Sequence, residues 1–217
     1  MTLVLTAHGS ADPRSAATAR LIVDCVRRLR PGLDARIAFC EQNSPNLRDV
    51  LATVTHGAVV VPLLLADAYH ARVDIPEMIA ESGADVRIAD VLGEDERLIH
   101  VLRQRLEHAG VSRLDQRVGV LVTAVGSSRP TANARTAVVA SEPQPTLAEA
   151  AEILRERGAT RLVIAPWFLA HGRITDRVAT FAHAQGISMS APLGAHRQVA
   201  ETVLDRFDAV MSARAAA

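Results

Sequence analysis

Several features that narrow a protein's function are scarce in this chain of 217 residues. It has only two cysteines, Cys25 and Cys40, and their spacing does not fit a zinc or iron–sulfur site built on cysteine. Acidic and basic residues balance at 24 each, so no overall field attracts nucleic acid or an anionic membrane. No apolar run reaches membrane-spanning length, and no signal peptide is recognisable. We therefore expect a cytoplasmic protein without nucleic-acid or membrane partners.

The residues that are abundant indicate a globular protein with a substantial core. Apolar residues make up 49% of the chain, which argues against disorder. The positive charge comes from arginine, whose guanidinium suits bidentate contacts with carboxylates or phosphates. A GC-rich genome, which favours arginine and alanine codons, explains most of these arginines equally well. Any attraction for an anionic ligand must therefore be local.

Short apolar runs alternate with amphipathic segments along the chain. In the first amphipathic segment, Ala17, Leu21, Cys25 and Leu29 recur every four residues, which predicts the buried stripe of a helix. A long helix is predicted over 94–108. Alternating strands and helices predict parallel sheets with helices on both faces, an α/β fold. The predicted strands are residues 2–7, 35–40, 58–65, 85–90, 117–124, 136–140, 161–167 and 187–190.

The same motifs occur twice in the same order. We interpret them as two similar α/β halves: an N-terminal domain over 1–112, and a degenerate C-terminal repeat over 113–217. Only eight residues separate Ser127 from Thr136, fewer than a helical crossover needs, so we expect the helix there to be missing or reduced to a turn. The matching segments are 7–10 with 124–127, 44–47 with 144–147, 60–66 with 164–170, and 91–93 with 192–194.

Three polar residues break the repeat. His8 and His70 each follow an apolar run that reads as a buried strand, so both should lie at the carboxyl edge of a parallel sheet. Two imidazoles meeting there can bind a divalent metal, accept protons, or both. This predicts one active site, in the first half, with the second half as its opposite wall. In the second half His8, Glu41 and His70 are replaced by Val125, Ser141 and Ile174.

These motifs together resemble the sirohydrochlorin chelatases, class II chelatases related in fold to protoporphyrin ferrochelatase. The resemblance covers essentially the whole chain, although Ala68 stands where the family often has Gly in a Gly-x-His pattern. The motifs are His8-Gly9-Ser10 after the first strand, Phe39-Cys40-Glu41 with Pro45, and Pro62-Leu63-Leu64-Leu65 with His70, Asp74, Ile75 and Pro76.

The resemblance implies two Rossmann-like domains with a cleft between them, and a lyase activity that needs no ATP. The family inserts Fe²⁺ or Co²⁺ into sirohydrochlorin, a tetrapyrrole, in sirohaem or cobalamin biosynthesis. Its two site histidines fall on His8 and His70, as catalytic groups and metal ligands, and its acidic residue falls on Glu41. No cofactor is implied beyond the substrate metal. Because one chain supplies both walls of the cleft, a monomer suffices, and a homodimer remains open.

A substrate with eight carboxylates calls for nearby donors. We expect Ser10, Arg14, Arg72 and His171 to contact the tetrapyrrole, with Arg129 and Arg173 as further candidates. Solvated loop positions are the competing interpretation for each of these side chains. Asp74 is a plausible N-cap for the helix that follows His70. Met78 and Trp167 fit core positions better than a stacking platform.

Other functions fit these residues less well. A non-catalytic metal or tetrapyrrole carrier would use the same cleft, and the sequence does not separate it from an enzyme. A phosphohistidine mechanism needs Arg directly before the histidine, where Ala7 stands. A dinucleotide site is disfavoured, because no G-x-G-x-x-G follows the first strand.

Overall fold

The computed structural model describes residues 1–54, 57–66, 70–124 and 146–215, with only the backbone at 70, 71, 214 and 215. The chain divides into two compact units. Unit 1 comprises Met1–Leu98 and Ala195–Ala217, and unit 2 comprises Ile99–Gly194. None of the helices in the described part of the chain is long and apolar enough to cross a membrane.

Unit 1 contains a parallel sheet of four strands in the order β2-β1-β3-β4. The central strands carry runs of Val, Leu and Ala and are almost wholly buried, as expected for a sheet covered on both faces. All four predicted strands of the first half are confirmed. They are β1 Thr2–Ala7, β2 Asp34–Phe39, β3 Ala58–Pro62 and β4 Val86–Ile88.

Across both units, the described residues contain seven α-helices and a π-helical turn, His70–Asp74, which leads directly into α3. The helix predicted over 94–108 is confirmed as α4. The helices are α1 Pro13–Leu29, α2 Leu47–Ala52, α3 Ile75–Ser82, α4 Glu96–His108, α5 Leu147–Glu156, α6 Arg173–Ala184 and α7 Arg197–Ala215.

Helix α1 begins where the Asp12 side chain accepts a hydrogen bond from the Arg14 amide, with Pro13 in the first turn. The predicted buried stripe of this helix is wrong: Leu21 is 54% exposed. The buried face instead contains alanine, isoleucine and valine residues at i, i+3 and i+4 spacing, the apolar stripe of a helix that packs on a core. Its members are Ala16, Ala19, Ile22, Val23 and Val26.

The two faces of the first sheet are covered by different helices. Helices α1 and α7 pack against each other and against the sheet on one face. On the other face α2 and α3 enclose an apolar cluster that includes Val4, Val60 and Ile75. Met78 belongs to this cluster, so its assignment to the core is confirmed.

Unit 2 contains a parallel sheet in the order β5-β6-β7, formed by Val118–Thr123, Arg161–Pro166 and Ser188–Met189. Residues of β5, β6, α5 and α6 form its core, and Trp167 is buried as predicted. The predicted strand at 136–140 and the segment between Ser127 and Thr136 lie outside the described residues. Two parallel-sheet α/β units thus confirm the predicted fold class.

The compact units are composed differently from the two ranges of the repeat. Helix α7 ends the second range, 113–217, yet it belongs to unit 1. Its apolar face is buried through Val199, Val203 and Phe207, because α7 packs against α1 and β3. An ion pair between Arg30 and Asp208, with both N···O distances 2.6 Å, adds to this packing. The ranges 1–112 and 113–217 stay a prediction about the repeat.

Candidate functional site

The candidate site lies at the carboxyl edge of the first sheet. In register, Ala7 pairs with Phe39 and Thr6 pairs with Pro62, so β1, β2 and β3 end at nearly the same level. The chain passes from β1 to β2 on one side and later returns to β3 on the other. Such a point of reversal leaves a crevice at the carboxyl ends of the strands, where α/β proteins bind ligands.

The turn after β1 lies against the turn after β2. The amide of Cys40 donates to the Ala7 carbonyl at 3.0 Å, and the amide of Glu41 donates to the His8 carbonyl at 3.0 Å. Gly9 has φ of +102°, and a Cβ there would lie 1.8 Å from the Glu41 carbonyl oxygen. Glycine is therefore required at this position both by its backbone conformation and by the close approach of the second turn.

The His8 imidazole is oriented towards the Glu41 carboxylate. Its Nδ1 lies 3.2 Å from the Gly9 carbonyl oxygen, which can only accept, so this hydrogen bond requires the proton on Nδ1. In the neutral ring Nε2 then carries the lone pair. That atom lies 3.5 Å from Glu41 Oε1, and the side chains are 30% and 52% exposed. At this separation the two atoms can bind one metal ion between them, or form an ion pair when the imidazole carries a second proton.

The loop at residues 40–46, which we name the Glu41 loop, is held by its own side chains. Gln42 has φ of +60°, and its side-chain Nε2 donates to Glu41 Oε1 at 2.7 Å. The Asn43 side chain accepts a hydrogen bond from the Ser10 amide at 2.8 Å. We did not identify Gln42 or Asn43 from the sequence. The only signal was the turn-forming composition of Gln42-Asn43-Ser44-Pro45 directly after the acidic residue.

Asn46, at the end of the Glu41 loop, and Arg20, outside it, also support the loop. Asn46 donates from Nδ2 to the Cys40 carbonyl at 3.0 Å and caps α2 through the Arg48 amide. Arg20, on α1, donates to the Ser44 carbonyl at 3.0 Å. Its guanidinium also lies 5.4 Å from the centre of the Phe39 ring. The loop is thus attached at its beginning and at its end.

Cys40 is poorly suited to bind a metal. Burial, with the nearby negative charges of Asp74 and Glu41, raises the pKa of the Cys40 thiol to about 11. Because the thiolate is the form that binds metals, the raised pKa disfavours this thiol as a metal ligand at neutral pH. Asp74 does not act as the predicted N-cap, and that assignment is wrong. Its backbone is already helical in the π-helical turn, whereas a capping residue needs a non-helical backbone.

Of the third predicted ligand, His70, the structure describes only the backbone. His70 begins the π-helical turn, and its side chain lies outside what the structure describes. Among the described residues, no three His, Cys, Asp or Glu side chains form a group that could hold a metal. The described pair is His8 with Glu41, and the participation of His70 stays a prediction.

The predicted substrate-binding residues lie in different settings. Ser10 is part of the His8 turn, where its Oγ accepts from the Asp12 amide at 3.1 Å. Arg14 forms a two-point ion pair with Asp12, with contacts of 3.0 and 2.5 Å. Arg72 is an exposed residue of the π-helical turn. The structure thus brings Ser10 beside His8, and Arg14 follows at the start of α1.

The remaining candidates belong to unit 2. His171 is exposed and directly precedes Gly172, the N-cap of α6, and Arg173 is the first residue of that helix. Arg129 lies outside the described residues. A role for these residues in substrate binding stays a prediction.

Comparison with known protein families shows which family this chain belongs to. The CbiX family model matches residues 2–109 and again residues 113–210. The chain belongs to the CbiX family. Similar proteins include the sirohydrochlorin ferrochelatase of Priestia megaterium, 30% identical over 72% of this chain. The sirohydrochlorin cobaltochelatase of Sulfolobus acidocaldarius is 30% identical over 49% of this chain and 90% of its own length. The resemblance to sirohydrochlorin chelatases drawn from the motifs is thereby confirmed.

The match to the Priestia ferrochelatase spans 58% of that protein's length. Among solved structures, SirB from Bacillus subtilis with Fe³⁺ aligns with a TM-score of 0.80 at 20% identity, covering 96% of this chain and 95% of SirB. SirB from Bacillus subtilis subspecies spizizenii, in complex with cobalt, aligns with a TM-score of 0.68 at 22% identity, covering 95% and 94%. At these identities the likeness establishes the fold alone, and it agrees with the two α/β units described above.

Proposed function

We propose that this protein is a sirohydrochlorin chelatase that inserts Fe²⁺ or Co²⁺ into the tetrapyrrole without ATP. The observation that carries the proposal is the pair formed by His8 Nε2 and Glu41 Oε1, 3.5 Å apart at the sheet edge. Imidazole nitrogen and carboxylate oxygen bind divalent metals at about 2.0–2.2 Å, so two ligands of one ion lie at about this separation. The names of the similar proteins support the same substrate.

The reaction exchanges two pyrrole N–H protons for one divalent metal ion. Glu41 supplies negative charge that lowers the cost of removing water from the metal, and the His8 lone pair binds the ion or accepts a proton. The hydrogen bond from Nδ1 to Gly9 keeps the lone pair on Nε2. In this proposal His70 joins as the second imidazole. Imidazole and carboxylate bind these metals less tightly than thiolates, which allows the ion to be released to the macrocycle.

The donor set does not choose between the two metals. Nitrogen and oxygen ligands suit both Fe²⁺ and Co²⁺, and the similar proteins include a ferrochelatase and cobaltochelatases. We therefore leave sirohaem and cobalamin biosynthesis as the two candidate pathways. A cytoplasmic location fits a pathway whose substrates are small and water-soluble.

The substrate carboxylates need cationic or N–H donors. We propose Arg72 and Ser10 for this role in unit 1, and His171 in unit 2. Arg14 would have to share its guanidinium with Asp12 to serve the same role.

The test is the absorbance change of sirohydrochlorin during metal insertion, with Co²⁺ and then with Fe²⁺ under anaerobic conditions. Wild-type protein should accelerate insertion over many turnovers. The variants His8→Ala, His70→Ala and Glu41→Gln should each lower the rate about a hundredfold, the usual contribution of one acid–base group. His183→Ala, which replaces an exposed histidine of α6, is the matched control and should keep the wild-type rate.

Each alternative outcome has a distinct meaning. Insertion no faster than the protein-free control with both metals would show that the proposal is wrong for this substrate. Tight binding of metal or tetrapyrrole without turnover would instead identify a carrier. The ratio of the Co²⁺ and Fe²⁺ rates indicates the pathway.

A further inference from the structure

We infer that Asn43 is a positioning residue of the proposed metal site, and that its carboxamide ties the Glu41 loop to the turn that carries His8. This inference rests on the proposed function, because it assigns the tie a role in metal binding. Asn43 itself contacts neither the imidazole of His8 nor the carboxylate of Glu41 in the contacts described above. It would act through the backbone of the two turns.

Asn43 hydrogen-bonds to both turns at once. Its side-chain Oδ1 accepts from the Ser10 amide at 2.8 Å, in a half-buried position. Its own amide donates to the Glu41 carbonyl at 2.7 Å. Through these two bonds Asn43 closes the turn around Gln42 and attaches that turn to Ser10.

The attachment adds to backbone hydrogen bonds that hold the two ends of the Glu41 loop. The Phe39 amide donates to the Pro45 carbonyl at 3.0 Å, and the backbone bonds from Cys40 and Glu41 continue the pairing of β1 with β2 but end before Gln42. Gln42 has φ of +60°, a conformation that residues with a side chain adopt only when the surroundings stabilise it. Beyond Gln42, the Asn43 side chain makes the next bond from the loop to the His8 turn. In this inference that bond fixes the direction in which the Glu41 side chain leaves the backbone.

The geometry of this position calls for a short acceptor. The side-chain amide oxygen of Asn43 reaches the Ser10 backbone amide. Asn43→Asp keeps an oxygen in the same place, so it preserves the tie. Asn43→Ala removes the acceptor and leaves the half-buried Ser10 amide without this partner.

The experiment uses the full-length protein and Co²⁺ alone, titrated through the visible absorption of the bound ion. Asn43→Ala should weaken Co²⁺ binding about tenfold, the lower end of the effect of residues that orient metal ligands. Asn43→Asp should restore binding close to that of wild type. Rescue by this conservative variant separates positioning of the metal ligands from general damage.

The control for lost stability is Asp208→Asn, which breaks the ion pair with Arg30 at the far end of α1. A 17-residue helix is about 26 Å long, so this ion pair is remote from the His8 turn. Asp208→Asn should keep wild-type Co²⁺ affinity. Hydrogen exchange of the Ser10 amide provides a readout that does not involve metal. It should be slow in wild type and in Asp208→Asn, and faster in Asn43→Ala.

Two results overturn the inference while the proposed function survives: unchanged Co²⁺ affinity in Asn43→Ala, or unchanged exchange of the Ser10 amide in that variant. If Co²⁺ binding by the wild-type protein is insensitive to His8→Ala, the proposed metal site itself is wrong. The role assigned to Asn43 then falls with it, even if the Ser10 amide loses protection.

Discussion

At the scale of single residues, the candidate site depends on one glycine as much as on its polar side chains. Gly9 stands where the His8 turn and the Glu41 loop approach each other most closely. The sequence motif His8-Gly9-Ser10 indicates a role for the histidine. The requirement for glycine at position 9 becomes clear only in the folded structure, where the Glu41 carbonyl oxygen occupies the space that a Cβ would need. Any Cβ at position 9 forces the two turns apart, and with them His8 and Glu41.

Gly9→Ala should therefore lower both stability and metal binding. We expect a loss of about 3 kcal/mol in the free energy of unfolding, because backbone strain and a clash with the Glu41 carbonyl act together. Urea denaturation measures the first effect and Co²⁺ titration the second.

The matched control is Gly32→Ala, where φ is +91° but no atom lies within 4 Å of the added Cβ. It should show only the strain of the left-handed backbone, about 1 kcal/mol, with metal binding unchanged. Equal losses in the two variants would contradict the close approach of the two turns.

At the scale of secondary-structure elements, the Glu41 loop and α2 are stabilised by the same side chain. Asn46 caps α2 with its oxygen and holds the Cys40 carbonyl with its nitrogen. The start of the helix and the start of the loop are thus coupled. Helix α2 is only six residues long, so its position relies on this cap and on burial of Leu47, Val50 and Leu51.

Asn46→Ala should destabilise the protein by about 2 kcal/mol, since it removes a helix cap and a second hydrogen bond. Asn46→Asp keeps the cap and loses only the donor, so it should cost about half as much. Urea denaturation of the two variants beside wild type provides the comparison. An Asn46→Asp variant as unstable as Asn46→Ala would mean that the bond to Cys40, not the cap, dominates.

At the scale of the whole molecule, the last helix stabilises the unit that contains the first strand. Helix α7 buries Phe207, of which 5% is exposed, within unit 1. Residues at opposite ends of the chain therefore share one core. One face of the sheet that carries His8 and Glu41 is fully covered only when α7 has folded onto it.

Phe207→Ala should lower the free energy of unfolding by about 3 kcal/mol, the usual cost of removing a buried aromatic side chain. Hydrogen exchange should become faster in β1 and β3, although these strands are distant from residue 207 in sequence. Leu21→Ala, at an exposed position of α1, serves as the control and should change stability by less than about 0.5 kcal/mol. Loss of protection confined to β5 and β6 would instead assign α7 to the sheet of the second half.

Much of this architecture could be predicted from local patterns. Runs such as Val59-Val60-Val61 are apolar on both faces, and that alone indicates a buried parallel strand. The positions of His8 and His70 after two such apolar runs predicted that both lie at the carboxyl edge of a parallel sheet. The physical reason is that parallel strands start and end together, so residues that follow them meet.

Other features were decided by tertiary structure. The buried face of α1 depends on which of its side chains meet the sheet, so the prediction that Leu21 is buried was wrong. Asp74 failed as a cap because the π-helical turn before it is already helical. The tie through Asn43, and the packing of α7 in unit 1, join segments that are far apart in sequence. Sequence periodicity reports the environment of each element along its own length, whereas contacts between distant segments exist only once the chain has folded.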